Sequence, residues 1–349
     1  MRGTMTRKWI NRMKKLTLFL LCLLLMTGCA STPSPAAAAT PDPSVKTTGV
    51  GFYFDTVVTV TLYGAEEGVL EDLWALCSRY ENLLSKTIAT SDVSRINAAG
   101  GQPVTVDPET WEILRRAREI SAMTDGAFSV TIAPISAMWD FTGGTNRMPT
   151  DEARIAALPL VNDQMIVLEE GNTVVLPAGM MIDLGGIAKG YIADAAAEML
   201  RGRVYGAALS FGGNVYVLGN KPDGTAFRVG LQDPAKMTGI YMAVVGTKDH
   251  SIVTSGTYER FFEVGGVKYH HLLDPKTGLP STSDLASATF VMVSSMDADA
   301  LATACIVRGS EWSMNFAKQH DLDAVFITTD GKVLVTEGFN DAHAFTLMN

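Results

Sequence analysis

Asp183, Lys189 and Asp194 stand close together in IDLGGIAKGYIAD, residues 182–194, around the pair Gly185-Gly186 and with almost no bulky polar side chain. A glycine pair lets a backbone approach a ligand closely, and a lysine beside it neutralises an anion. A helix opening at Gly190 aims its first amide groups at the same point. This is the composition of an anion cradle. It is neither the Walker arrangement, whose order of glycine, lysine and hydroxyl residue differs, nor G-x-G-x-x-G. A glycine-rich turn from strand to helix explains it equally well without a ligand.

Three further stretches carry chemistry-bearing residues. ALSFGGNVYVLGNKPDGTAFRVGLQDP (208–234) repeats the glycine pair as Gly212-Gly213 ahead of Asn214, whose amide both donates and accepts; a hairpin accounts for the same residues. TSGTYERFFEVGGVKYHHLLDPKTGLPS (254–281) sets Thr254, Ser255 and Gly256 at a turn, then Glu259 and Arg260, then His270, His271, Asp274, Lys276, Thr277 and Gly278. Adjacent strand residues face opposite ways, which disfavours a metal site built on both histidines. A Ser/His/Asp esterase lacks its G-x-S-x-G elbow. In DADALATACIVRG (297–309), Asp299 and Thr303 are four apart and share a helix face. Such oxygen donors suit magnesium or calcium and not zinc, whereas a first-turn acid favoured by the helix dipole is the plainer account of Asp299.

The elements that must position these residues follow from periodicity. Residues 51–63, GFYFDTVVTVTLY, are β-branched, aromatic and alternating, which predicts one strand. Leu70, Leu73, Cys77, Tyr80 and Leu84 recur at helical spacing. Asp107-Pro108-Glu109 reads as an N-cap with proline at the first helical position, opening a helix to about Met123. A third helix is expected over 190–200, strands over 203–218, 226–231, 240–247 and 252–264, helices over 297–307 and 311–320, and a hairpin at Asp330-Gly331. Strands grouped between helices, without regular alternation, indicate an α+β architecture.

The N-terminal residues carry an address. Residues 1–28 hold Arg2, Arg7, Lys8, Arg12, Lys14 and Lys15 with no acid, then the apolar run Leu16–Met26, too short for the roughly 20 residues that cross a bilayer. They read as a signal peptide, with Met13 as an alternative start. Leu25-Met26-Thr27-Gly28-Cys29 resembles a bacterial lipobox, which makes Cys29 the expected lipidation site; a plain secreted protein is the alternative. Residues 29–48, rich in Ala, Pro, Ser and Thr, form a tether. Residues 49–349 then read as one large domain, or two intimately packed lobes, expected on the outer face of the cytoplasmic membrane, or on its periplasmic side where there are two membranes. The net charge of −9 becomes more negative once the basic leader is removed, which argues against nucleic acid as a partner. Cys77 and Cys305 sit in apolar helical patterns and are expected to be buried thiols and not a disulfide.

Taken in order, FDTVVTV (54–60), TSDVSRIN (90–97), DGAFSVTIAPISAMWDF (125–141), IDLGGIAKGYIAD, SFGGNVYVLG, TSGTYERFF, HHLLDPKTGLP and DADALATA resemble the ApbE family of FAD:protein FMN transferases. The resemblance runs from Phe52 nearly to the C-terminus. Two positions depart from it: Phe54-Asp55-Thr56 stands where Met-Gly-Thr is frequent, and Ser129 where aspartate is common.

The resemblance implies a single domain of mixed, mostly antiparallel sheets packed with helices. It also implies an enzyme that splits the pyrophosphate of FAD with Mg2+, transfers FMN to a Thr or Ser hydroxyl of an acceptor protein, and releases AMP. The matching positions assign Phe54, Gly126, Ala127, Phe128, Asp183, Lys189, Gly212, Gly213, Asn214, Thr254, Ser255, Gly256 and Asp274 to FAD, with Asp183 on the flavin or adenine. They assign the Gly186 main-chain oxygen, Asp299 and Thr303 to the metal, and His271 to the base that takes the hydroxyl's proton, His270 pointing away. A hydrolase yielding FMN and AMP and a non-catalytic FAD-binding lipoprotein are the competing readings.

Overall fold

A computed structural model describes residues 42–348. The expected signal peptide, Cys29 and the tether as far as residue 41 lie outside the described residues. The rest of the expected tether is shorter than the composition suggested, because the first strand already begins at Lys46.

Eight strands make one sheet and cross it in chain order: β1 (Lys46–Tyr53), β2 (Thr56–Tyr63), β3 (Gly206–Phe211), β4 (Asn214–Gly219), β5 (His250–Gly256), β6 (Leu285–Met292), β7 (Asp323–Thr328) and β8 (Val333–Val335). Every neighbouring pair is antiparallel. Long insertions between neighbours carry most of the rest, and a short segment after β8 completes it. Between β2 and β3 come α1 (Val69–Leu84), α2 (Pro108–Met123) and α3 (Ala188–Leu200); between β6 and β7 come α4 (Ser295–Arg308) and α5 (Ser310–Gln319). A separate hairpin, Phe261–Val264 with Val267–His270, follows β5. Strands Phe227–Gln232, Tyr241–Thr247 and Ala344–Leu347 form a small second sheet.

Burial explains the layering. Val58, Val60, Leu62, Leu209 and Phe290 on one sheet face pack with Leu73 of α1, Ile192 of α3 and Leu301 of α4. Val217, Ile252, Val291 and Val325 on the other face meet Phe227 and Val245 of the small sheet. β6 is therefore covered on both sides and buried from Leu285 to Val291, which is why its sequence is a continuous run of small and apolar residues. Cys77 and Cys305 are free and buried. No helix among the described residues is long and apolar enough to cross a membrane.

Three expected strands are each two strands instead, and two of the three are hairpins. Residues 51–63 reverse at Phe54 (φ 57°) and Asp55 (φ 54°), with Tyr53 paired to Thr56. A two-residue turn with both central residues left-handed ordinarily carries Asn or Gly, and Phe54-Asp55 gives no such signal. Residues 203–218 reverse at Gly212-Gly213, and 252–264 divide after Gly256. The helix expected from Gly190 begins two residues earlier, at Ala188. Gly190 lies inside it, where a Cβ would stand 2.2 Å from the carbonyl oxygen of Ser295. Its lack of a side chain serves the contact of α3 with α4.

Candidate active site

The first turn of α4 is held from three directions. Asp194 on α3 accepts hydrogen bonds from the amides of Ser295 (2.8 Å) and Met296 (2.9 Å), so this second carboxylate of the glycine-rich motif caps a helix. Burial pushes it up to about 6, against the pull of those two amides. Arg116 of α2 grips Asp297 through two bonds of 2.9 and 2.7 Å. Gly190 lets α3 close onto the same turn. Asp299 therefore emerges beyond the first turn, in which the only acid is Asp297. It is buried, and it accepts a bond from the Gly190 amide at 3.1 Å.

Oxygen donors converge around Asp299. The Thr303 hydroxyl donates to the Asp299 main-chain oxygen at 3.2 Å and lies 3.4 Å from the Ser255 hydroxyl. Gly186 is adjacent, since a Cβ there would lie 3.9 Å from the Thr303 hydroxyl. The Lys189 ammonium reaches the Gly185 carbonyl at 2.9 Å and stands 3.4 Å from both Asp299 carboxylate oxygens, so a positive charge is already favoured here. One carboxylate among hydroxyl and carbonyl oxygens is a hard donor set, and it fits magnesium better than a softer ion.

These groups open into a cavity of about 610 Å³. Six carboxylates line it (Asp55, Glu81, Asp140, Asp183, Glu259, Asp299) against three cations (Lys86, Lys189, Arg260). Asp183 is engaged by Lys86 at 2.6 Å and by the Gly185 amide at 2.9 Å, an arrangement that braces the glycine loop. Across the cavity, the left-handed turn at Phe54 is pinned by its amide on Glu81, at 2.8 Å. Asn214 is buried with its side-chain NH2 unpartnered, a donor available to a ligand. Trp139 and Phe141, stacked at 5.5 Å and 12°, give a flat apolar wall.

His271 is oriented by the backbone. Its amide donates to the Arg260 carbonyl at 3.1 Å and its Nδ1 lies 3.3 Å from the same oxygen. A proton on Nδ1 satisfies that carbonyl and leaves the lone pair of Nε2 free as an acceptor. Burial, then the charge of Arg260, hold this imidazole down to about 3, so it is neutral at physiological pH. His270 is buried, with Nε2 2.9 Å from the Ser281 carbonyl, and does not line the cavity. Glu259 lines the cavity with its surface still exposed, and desolvation there pushes it up to about 7 although Lys189 and Arg260 pull the other way.

The cavity gathers Phe54, Ala127, Phe128, Asp183, Gly186, Lys189, Gly212, Asn214, Thr254, Ser255, His271, Asp299 and Thr303 from nearly the whole length of the chain. It does not gather Gly126, Gly213, Gly256 or Asp274. Gly126 (φ 73°) ends α2 by donating to the Ser121 carbonyl, and Gly213 (φ 100°) is the second residue of the β3–β4 turn. Gly256 lies under the Tyr258 ring, and Asp274 shapes a turn by accepting the amides of Lys276, Thr277 and Gly278. Sequence reasoning passed over Lys86 and Glu81. Neither carries a motif, and only the partner each meets from a distant segment marks it.

The ApbE family model matches residues 54–326. An FAD:protein FMN transferase of Treponema pallidum is 36% identical over 290 residues, covering 78% of this chain and 80% of that protein. One from Klebsiella pneumoniae is 34% identical over 284 residues, covering 80% of this chain and 88% of its own. Among solved structures, the ApbE protein of Thermotoga maritima superposes with a TM-score of 0.79 at 29% identity, covering 85% of this chain and 99% of that one. The flavin transferase ApbE of Vibrio cholerae gives 0.78 at 26% identity, covering 85% and 99%. With its fold, its motifs and most of its length in common with these proteins, the chain belongs to the ApbE family.

Proposed function

We propose that this protein transfers FMN from FAD to a Thr or Ser hydroxyl of an acceptor protein and releases AMP. One observation carries the reading: the glycine loop with Lys189, the oxygen cluster of Asp299 and Thr303, and the free Nε2 of His271 face one cavity. The stacked Trp139 and Phe141 offer the flavin a flat surface, and Asn214 offers its heteroatoms a donor. Asp299, Thr303 and the Gly186 carbonyl would hold Mg2+, which when bound supplies positive charge to the pyrophosphate oxygens. Lys189, next to the same carboxylate, adds a second positive charge. His271, with Nδ1 committed to the Arg260 carbonyl, offers Nε2 to the proton of the incoming hydroxyl, a weak acceptor until the anionic phosphates beside it raise its proton affinity.

The test is incubation of the purified protein with FAD, Mg2+ and membranes from the source strain lacking this gene. The expected result is flavin fluorescence fixed to protein bands together with AMP. Free FMN and AMP without labelled protein would make the protein a hydrolase, and unchanged FAD would make it a binding protein.

The proposed address is the outer side of the cytoplasmic membrane, through a lipid on Cys29 and the tether that follows. It rests on the leader and lipobox-like sequence alone. Cys29→Ser is expected to move the protein to the soluble fraction with unchanged specific activity; retention in membranes would remove the anchor.

A further inference from the structure

The two lysines lining the cavity are each matched by a carboxylate, Lys86 by Asp183 at 2.6 Å and Lys189 by Asp299 at 3.4 Å. Arg260 lines the same cavity, and its guanidinium has neither an ion-pair nor a hydrogen-bond partner among the described residues. Its main chain, by contrast, is tied to the base: the one Arg260 carbonyl receives the amide of His271 at 3.1 Å and faces its Nδ1 at 3.3 Å. Arg260 directly precedes the hairpin strand Phe261–Val264 and His271 directly follows its partner strand Val267–His270, so the two residues flank the Phe261–His270 pair at one end of the ladder.

That juxtaposition limits what Arg260 can meet. A hydroxyl held by Nε2 of His271 must lie about 3 Å from the phosphorus it attacks, so the phosphoryl group undergoing transfer sits beside the loop that carries both residues. We propose that the guanidinium of Arg260 binds the non-bridging oxygens of the FMN phosphate as it is transferred, making Arg260 a catalytic residue of this site. The inference rests on the transferase reading above. In the step, the acceptor oxygen forms a bond to the FMN phosphorus and its proton passes to His271. The bond from that phosphorus to the bridging oxygen breaks, and the electron pair stays on the phosphate of departing AMP. A planar donor fork that needs no carboxylate partner matches the spread of charge over the phosphoryl oxygens. The plainer alternative is a solvated surface arginine with no part in the reaction.

The experiment compares wild type, Arg260→Met and Arg260→Lys in single turnovers of AMP release and protein labelling, using FAD, Mg2+ and the membranes described above. FAD affinity is measured separately from flavin fluorescence. Arg260→Met is expected to lower transfer by a factor on the order of 10² or more, as loss of one oxyanion-stabilising donor does. FAD affinity should fall far less. Arg260→Lys should be intermediate, and guanidinium chloride in the tens of millimolar should restore part of the Met variant's rate. Unchanged turnover in Arg260→Met, a loss explained wholly by weaker FAD binding, or no rescue by guanidinium would each overturn the assignment. A wild-type protein that itself labels nothing would fail the transferase reading instead, before the variants are compared.

Discussion

Gly190→Ala tests whether the close approach of α3 to α4 builds the site. A Cβ on residue 190 would stand 2.2 Å from the Ser295 carbonyl oxygen, 2.6 Å from its carbon and 2.7 Å from the Met296 Cα. All three are backbone atoms and cannot swing aside. Restoring ordinary contact requires the helices to separate by roughly 1 Å, given the usual optimum between non-bonded atoms. Overpacking of this kind costs about 1–3 kcal/mol. Alanine recovers about 1 kcal/mol of helix propensity over glycine, and because rigid backbone meets the clash, the upper half of the range applies. The expected net loss is about 1–2 kcal/mol, or roughly 2–3 °C in Tm for a domain of about 300 residues. The separation also carries Asp299 away from the Gly190 amide and Lys189, so Mg2+-dependent transfer should fall further than stability does. Urea unfolding and single-turnover transfer read the two effects. Gly202→Ala, where no atom lies within 4 Å of the added Cβ, controls for a generic glycine effect, although its φ of 76° adds local strain of its own. A Gly190→Ala protein as stable as wild type, with full activity, would refute the reasoning.

Asp299→Ala should abolish transfer while leaving a folded protein, and excess EDTA should do the same to wild type; full activity in either case would remove the magnesium assignment. His271→Ala should keep FAD affinity and lose transfer by a factor on the order of 10², whereas His270→Ala should be much milder because its ring faces the Ser281 carbonyl and not the cavity; equal losses would make both histidines structural. Asp194 is pushed up to about 6 by burial, so the stability it contributes is fully present below about pH 4 and is lost as the pH rises through 6. The stability of wild type relative to Asp194→Asn should accordingly fall by about 3 kcal/mol between pH 4 and pH 7, and urea midpoints showing a constant gap would contradict it.

Much of the helical framework was legible because its signals are local. Asp107 does cap α2 by accepting from the Glu109 amide, with Pro108 opening the helix, and the apolar stripe of α1 is its buried face. The hairpins were less legible. An alternating pattern continues across a two-residue turn, and at Phe54-Asp55 the turn puts a bulky aromatic in a left-handed conformation that such residues usually avoid. The glycine motif was read for a ligand, but its parts divide. Gly190 and Asp194 hold α4, Asp183 and Lys86 brace the loop, and Gly186 and Lys189 face the oxygen cluster. That division depends on what packs against each residue from far away in the chain, which spacing does not encode.

The insertions between sheet neighbours give this division its purpose. The strands supply a rigid antiparallel frame in chain order, yet β2 and β3 are separated by a stretch long enough to hold three helices. α3 from that stretch meets α4 from the insertion between β6 and β7, and their junction fixes Asp299. The hairpin inserted after β5 fixes Arg260 and His271. A cavity whose wall already carries six carboxylates against three cations is a poor host for an anionic pyrophosphate unless further positive charge enters with it. On the proposed reading, metal and FAD would therefore be coupled, each favouring the other's binding, and by linkage the coupling would be reciprocal. The groups that would meet the incoming charge stand on separate elements: Lys189 on α3, Asp299 on α4, and Arg260 directly ahead of the hairpin that follows β5.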